Sequence, residues 1–136
     1  MFEELIIVGN LGRDPELRYT PQGIPVANFS VAVNRKWKSA DGTQNEEVTW
    51  FRITAWRGLA EVCGQYLAKG RQVLVQGTLR PDPATGAPRI WTGNDGIARA
   101  SYEVNARNVR FLGGGRGEAA SGAGRPADYE EEEIPF

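Results

Sequence analysis

A small all-β barrel with one helix, followed by a disordered acidic tail, is the fold class that the sequence predicts. Three observations carry it. Two long segments alternate apolar and polar residues with period two. One stretch, and only one, has helical spacing on an apolar face. After residue 112 the composition changes to Gly, Ala, Arg and Glu, with no Val, Leu or Ile until Ile134, so nothing there offsets chain entropy.

The elements follow in order. Leu5-Ile6-Ile7-Val8 is a continuous apolar run before Gly9-Asn10 and reads as a strand buried on both faces. Asp14-Pro15 and Pro21-Gln22-Gly23 are turn signals around the short segment 16–20. From Pro25 to Trp37, Ala27, Phe29, Val31 and Val33 alternate with Asn28, Ser30 and Asn34, so the odd face points inward. Residues 38–46 contain Asp41-Gly42 and read as a loop. In 47–57, Phe51, Ile53 and Ala55 form one face of a strand and Trp50, Arg52, Thr54 and Trp56 the other, with Gly58 ending it.

Leu59, Val62, Cys63, Tyr66 and Leu67 then fall at helical spacing, with Lys69 in the last turn and Gly70 as the C-cap. Residues 72–79 form a fourth main strand that points Val73, Val75 and Leu79 one way. Residues 81–100 are rich in Pro and Gly and read as a long loop or hairpin arm, and 102–112 is the last strand. Five main strands, one helix between the third and fourth, and an otherwise antiparallel meander fit a closed or partly closed barrel of the OB type, which binds oligonucleotides or oligosaccharides.

Composition narrows the function. The 136 residues contain no histidine and one cysteine, which excludes Ser-His-Asp and Cys-His catalysis, histidine or all-thiolate zinc sites and an internal disulfide. No cofactor or metal is expected. No run approaches a membrane span, and the acidic start at Glu3 and Glu4 is unlike a signal peptide, so the cytoplasm is the expected location. Residues 1–112 carry 14 Lys and Arg against 11 Asp and Glu; residues 113–136 carry two against six. A mildly basic body joined to an acidic tail divides the chain into a binding domain (1–112), a flexible linker (113–129) and an acidic tip (130–136).

Each of the four tryptophans has a basic residue within two positions: Arg35-Lys36-Trp37-Lys38, Trp50 with Arg52, Trp56-Arg57, and Arg89 before Trp91. Flat rings that stack unpaired bases and cations that track phosphates are what sequence-tolerant single-strand binding needs. Trp50 and Trp56 share the face opposite Phe51, Ile53 and Ala55, so alternation favours exposure over core. Six residues separate them, roughly 20 Å along a strand. Trp37 has the parity of the core positions, so its exposure requires the strand to outrun the core or carry a bulge. The direction of Trp91 is open. Arg35, Lys36 and Lys38 also fit a solvated loop rim, and Cys63 fits an inert buried thiol. The candidate phosphate contacts are Arg35, Lys36, Lys38, Arg52, Arg57 and Arg80.

The chain ends Glu130-Glu131-Glu132-Glu133-Ile134-Pro135-Phe136. Acidic residues before an aromatic anchor fit a pocket with a basic rim on a partner, whereas a purely solubilising tail would not end in an apolar cluster.

These residues together resemble the bacterial single-stranded DNA-binding protein family. The resemblance rests on Leu11-Gly12-Arg13-Asp14-Pro15-Glu16-Leu17-Arg18-Tyr19, Val26-Ala27-Asn28-Phe29-Ser30 with Trp37, Thr49-Trp50-Phe51-Arg52, Leu59-Ala60-Glu61 with Tyr66-Leu67-Ala68-Lys69-Gly70, Gly77-Thr78-Leu79-Arg80, Tyr102-Glu103-Val104 and the acidic tip. It implies an OB-fold homotetramer that wraps single-stranded DNA, with stacking aromatics at Trp37, Trp50 and Trp56. Trp91 is a further candidate. It also implies a nucleoid-associated role and a tip, Glu130–Phe136, that docks replication, recombination and repair proteins. The sequence departs from the family at Phe51, where many members have histidine or tyrosine, and at Pro81-Asp82-Pro83.

Two rival readings remain. One is an OB-fold adaptor or messenger-RNA binder, which the acidic Ile-Pro-Phe tip opposes. The other is a carboxylate-based nuclease, for which the body has no evident acidic cluster.

Overall fold

The computed structural model describes residues 1–112. Its elements are β1 (Leu5–Leu11), β2 (Glu16–Tyr19), β3 (Pro25–Lys38), β4 (Gln44–Trp56), α1 (Arg57–Tyr66), β5 (Gln72–Leu79), β6 (Ile90–Thr92), β7 (Ala98–Ala100) and β8 (Tyr102–Leu112). Five of the strands close a barrel in the order β1-β5-β8-β4-β3, with β3 returning to β1 through Asn10 opposite Ala32 and Leu11 opposite Val31. The short β2 flanks β3. This is the five-stranded OB barrel that the strand pattern predicts. It is not a meander throughout: β4 and β8 run parallel, because the chain passes through α1 and β5 before returning to the free side of β4.

Alternation does most of the construction. Ala27, Phe29 and Val31 of β3, Ile53 and Ala55 of β4, Val73 and Val75 of β5, and Val104 and Val109 of β8 point into one core. Burying a side chain such as Ile53 contributes roughly 1.5–3 kcal/mol relative to leaving it exposed. β1 contributes Ile7 and Leu11 to the same core. Its other face is a correction to the sequence reading, since Ile6 and Val8 are exposed. Within one chain β1 is buried on one face only.

α1 plugs the barrel with Ala60 and Cys63, followed by Leu67. Burial pushes the Cys63 thiol up to about 12, which keeps it protonated and unreactive. The apolar helical spacing overstated the buried stripe: Val62 and Tyr66 are exposed, because a ten-residue helix resting on a barrel mouth buries only a narrow strip. Its boundaries also differ. Gly58 lies inside the helix rather than ending the strand, and Leu67 is the C-cap. Gly70, at φ +89°, serves the turn in which Arg71 N–H donates to the Ala68 carbonyl. Lys69 sits in that turn, its N–H donating to Asp14 Oδ1 at 2.9 Å.

The expected loop at 38–46 contracts to Ser39–Thr43, since β3 and β4 pair as far as Lys38 opposite Gln44. Gly42 at φ +90° and an Asp41 Oδ1 that accepts from Thr43 N–H make the turn. Residues 81–100 form an arm with a true hairpin, β6 paired to β7. Its turn repeats the same chemistry with Asp95 and Gly96. Leu79 keeps the parity of Val73 and Val75 but lies past the barrel end and is half exposed. No helix among the described residues is long and apolar enough to cross a membrane. The expected linker (113–129) and tip (130–136) lie outside the described residues.

Candidate nucleic-acid interface

The outer face of β4 carries Trp50, Arg52, Thr54 and Trp56, and pairing sets their neighbours. Trp50 lies opposite Ala32, Arg52 opposite Ser30, Thr54 opposite Asn28 and Trp56 opposite Val26. On the other side Arg52 pairs with Glu103 and Thr54 with Asn105 of β8. Ala32, Ser30 and Asn28 on β3 and Asn105 on β8 make the floor between the two indoles small and polar. Trp50 is 51% exposed and Trp56 41%, which agrees with the alternation argument. Thr54, the one buried polar residue of the floor, donates to Asn28 Oδ1 at 3.1 Å.

Trp50 owes its position to a glycine. A Cβ on Gly12 would come within 2.6 Å of Trp50 Cζ3, so only glycine lets the ring lie across the end of β1. Nothing in the sequence local to Gly12 signals this contact.

Trp37 is 43% exposed. β3 pairs with β4 in unbroken register through Trp37 opposite Asn45, so the strand outruns the core and no bulge is needed. Arg35 lies over the Trp37 ring at 5.5 Å and its Nη2 is 3.2 Å from Glu47 Oε2. Alternation divides the basic run. Arg35 and Trp37 share one side of the arm, while Lys36 and Lys38 continue the side that carries Trp50.

Arg52 is the centre of the face. It borders a groove of about 360 Å³ with Arg13, Asn28 and Ser30. It also borders one of about 230 Å³ with Arg80, Arg89 and Glu103. A third, of about 390 Å³, lies between Trp50 and Tyr102. Arg80 follows β5 and reaches the same floor, with Nη1 3.5 Å from Thr54 Oγ1. Arg57 begins α1 directly after Trp56, with φ +58°, the one non-glycine residue of positive φ among the described residues.

Trp91 is half-buried in the β6–β7 hairpin, opposite Arg99, whose guanidinium carbon is 5.9 Å from the ring. Arg99 in turn makes hydrogen bonds of 3.1 and 2.6 Å to Asp95. The arginine, with help from the Ile97 N–H, holds the Asp95 carboxyl below the usual carboxylate range. The Trp91 Nε1–H is buried without an acceptor.

The structure thus gathers Trp50, Trp56, Arg52 and Arg80 on one face, with Arg57 beside Trp56, and carries Trp37, Lys36 and Lys38 on an arm continuous with it. Arg13, Arg89, Arg99 and Tyr102 belong to the same surroundings and were not among the candidate residues. The Asp-Gly pair at 95–96 was the available signal for the second arm, since it matches Asp41-Gly42. Among the described residues no three His, Cys, Asp or Glu side chains gather where they could hold a metal ion.

A closed OB barrel with half-exposed indoles and unpaired arginines on one sheet face defines an oligonucleotide-binding class of protein. Comparison with known proteins narrows the class. The Single-strand binding protein family matches residues 2–112, and the chain belongs to that family. A Single-stranded DNA-binding protein of Neisseria meningitidis serogroup A is 42% identical over 128 residues, covering 94% of this chain and 67% of that protein. Single-stranded DNA-binding protein 1 of Xylella fastidiosa is 37% identical over 131 residues, covering 92% and 91%. A chain described as "Plasmodium falciparum SSB complex with ssDNA" shares the fold at a TM-score of 0.65 and 24% identity, over 82% of this chain and 96% of its own.

Proposed function

We propose that this chain binds single-stranded DNA without reading its sequence. Bases stack on Trp37, Trp50 and Trp56, with Trp91 as a further platform. Phosphates are met by Arg35, Lys36, Lys38, Arg52, Arg57 and Arg80. The observation that carries this reading is the outer face of β4, where two indoles about half exposed flank an arginine that has no carboxylate partner among the described residues. Stacking tolerates any base because every base has a π-face, and each stacked base contributes about 1–3 kcal/mol. Nothing in the arrangement calls for catalysis or a cofactor.

The wider role follows from family membership and from the tail. The bound strand is protected during replication, recombination and repair. The tip Glu130–Phe136 recruits proteins of those processes by combining acidic charge with an aromatic anchor. The working unit is a homotetramer, for which the exposed Ile6 and Val8 of β1 supply an apolar contact face. The protein acts in the cytoplasm, at the nucleoid.

A tryptophan-fluorescence titration with long oligo-dT tests the core of the proposal. Strong quenching by the single strand, little by a duplex of equal length, and affinity that falls as salt rises are expected, because phosphate contacts release counterions. Unchanged emission with no complex formed would overturn it.

A further inference from the structure

Acidic side chains also border this face: Asp14 and Glu16 beside Arg13, and Asp82 and Glu103 beside Arg80 and Arg89. Glu103 of β8 stands beside Arg52 of β4 in register. Its carbonyl accepts from the Arg80 N–H at 2.7 Å, which fixes the start of the Arg80 side chain nearby. Its carboxylate is 13% exposed and lies 3.6 Å from Arg89 Nη2. All four residues border the 230 Å³ groove.

At 3.6 Å the pairing with Arg89 is as long as the exposed Arg18–Glu16 contact, although the Glu103 side chain is mostly buried. Arg107 meets Glu4 at 2.7 Å and Arg99 meets Asp95 at 2.6 Å, distances typical of charge-assisted hydrogen bonds. Glu103 Oε2 is buried and receives no hydrogen bond. Arg89 is therefore attracted to Glu103 but not tied to it. The other acidic side chain of the groove is committed elsewhere, since Asp82 Oδ1 accepts from the Ala84 N–H at 2.9 Å. A mostly buried carboxylate thus borders the same groove as three arginines, where its charge opposes an approaching phosphate.

We propose that Glu103 is a built-in counter-ion that limits the affinity of the interface. In the free protein it holds Arg89. When DNA binds, a phosphate takes Arg89 from it, offering two oxygens for a forked contact where Glu103 makes none. Binding is weaker than the cations alone would give, and release is correspondingly easier. This rests on the single-strand reading above and adds a residue that tunes it.

Glu103→Gln keeps size and hydrogen-bonding capacity and removes the charge. In the full chain, with oligo-dT at low salt, it should bind roughly three- to tenfold tighter than the native protein. The slope of log affinity against log salt should stay close to the native value, because Arg89 meets the phosphate in both proteins. Equal affinity would overturn the proposal. So would weaker binding, which would make Glu103 a base contact or a support for Arg89. Should the variant fail to fold, Arg89→Gln supplies the test: it must weaken binding and flatten the slope by about 0.7, and an unchanged slope overturns the exchange. Absence of binding by the native protein would instead be a failure of the single-strand reading itself.

Discussion

Arg57 sits in a backbone region that disfavours side chains. Its φ of +58° costs an L-residue about 1–2 kcal/mol relative to the right-handed region, and glycine escapes that cost. Arg57 is exposed, and a glycine follows it at position 58 without needing a positive φ. The fold alone would favour glycine at 57. What an arginine adds there is a cation adjacent to Trp56. Arg57→Gly should therefore stabilise the protein by about 1 kcal/mol in urea denaturation, while weakening oligo-dT binding and flattening its salt dependence. Loss of stability would mean that Arg57 makes a contact worth more than its strain. Gly12 is the converse case, a residue whose missing side chain positions another residue's ring.

At the scale of elements, the two hairpin arms would extend the proposed interface beyond the barrel. Both turn on an Asp-Gly pair in which the aspartate oxygen accepts from the N–H two residues on and the glycine takes positive φ. Gly42→Ala should destabilise the β3–β4 arm by about 1 kcal/mol. The effect should be local, read as faster amide exchange over residues 36–46 with unchanged exchange in Ile53 and Val75. Trp37 would then contribute less to quenching by DNA. A uniform loss of protection would mean that the arm and barrel unfold as one unit. The legibility of the sequence divides along the same line. Strands buried on one face, β3 and β4, could be read from alternation to within a few residues. The 81–100 arm could not, because its strands are three residues long and period two needs more positions to appear. The α1 boundaries were misread for a related reason: Gly58 and Gly70 look alike as punctuation, but only Gly70 adopts the left-handed conformation. The face positions of Trp50 and Trp56 were legible; the contacts of Glu103 and Gly12, which join residues far apart in sequence, were not.

For the whole molecule the outer side of β1 is decisive. The run Leu5–Val8 reads as buried on both sides, yet one chain covers only the side bearing Ile7. Ile6 remains 52% exposed and Val8 36%. Around them the sheet is polar but organised: Gln76 donates to Glu4 at 3.0 Å, Asn108 to Gln76 at 3.2 Å, and Arg107 to Glu4 at 2.8 and 2.7 Å. An apolar strip framed by ordered polar groups suits contact with an identical strip across a two-fold axis, where each residue meets its own counterpart or a neighbour. A charge placed there would meet a like charge in the partner. In the proposed homotetramer, Val8→Glu should therefore lower the mass found by analytical ultracentrifugation to that of a smaller species, with near-native circular dichroism because Val8 is no part of the core. Site occupancy should fall as well, since a long strand that engages several subunits gains from their high effective concentration, while an oligonucleotide short enough for one subunit gains nothing. The variant should bind the short strand as the native protein does and the long strand more weakly. An unchanged mass would show that the strip is not the assembly contact, and an equal loss on both strands would show that the substitution disturbs the barrel itself.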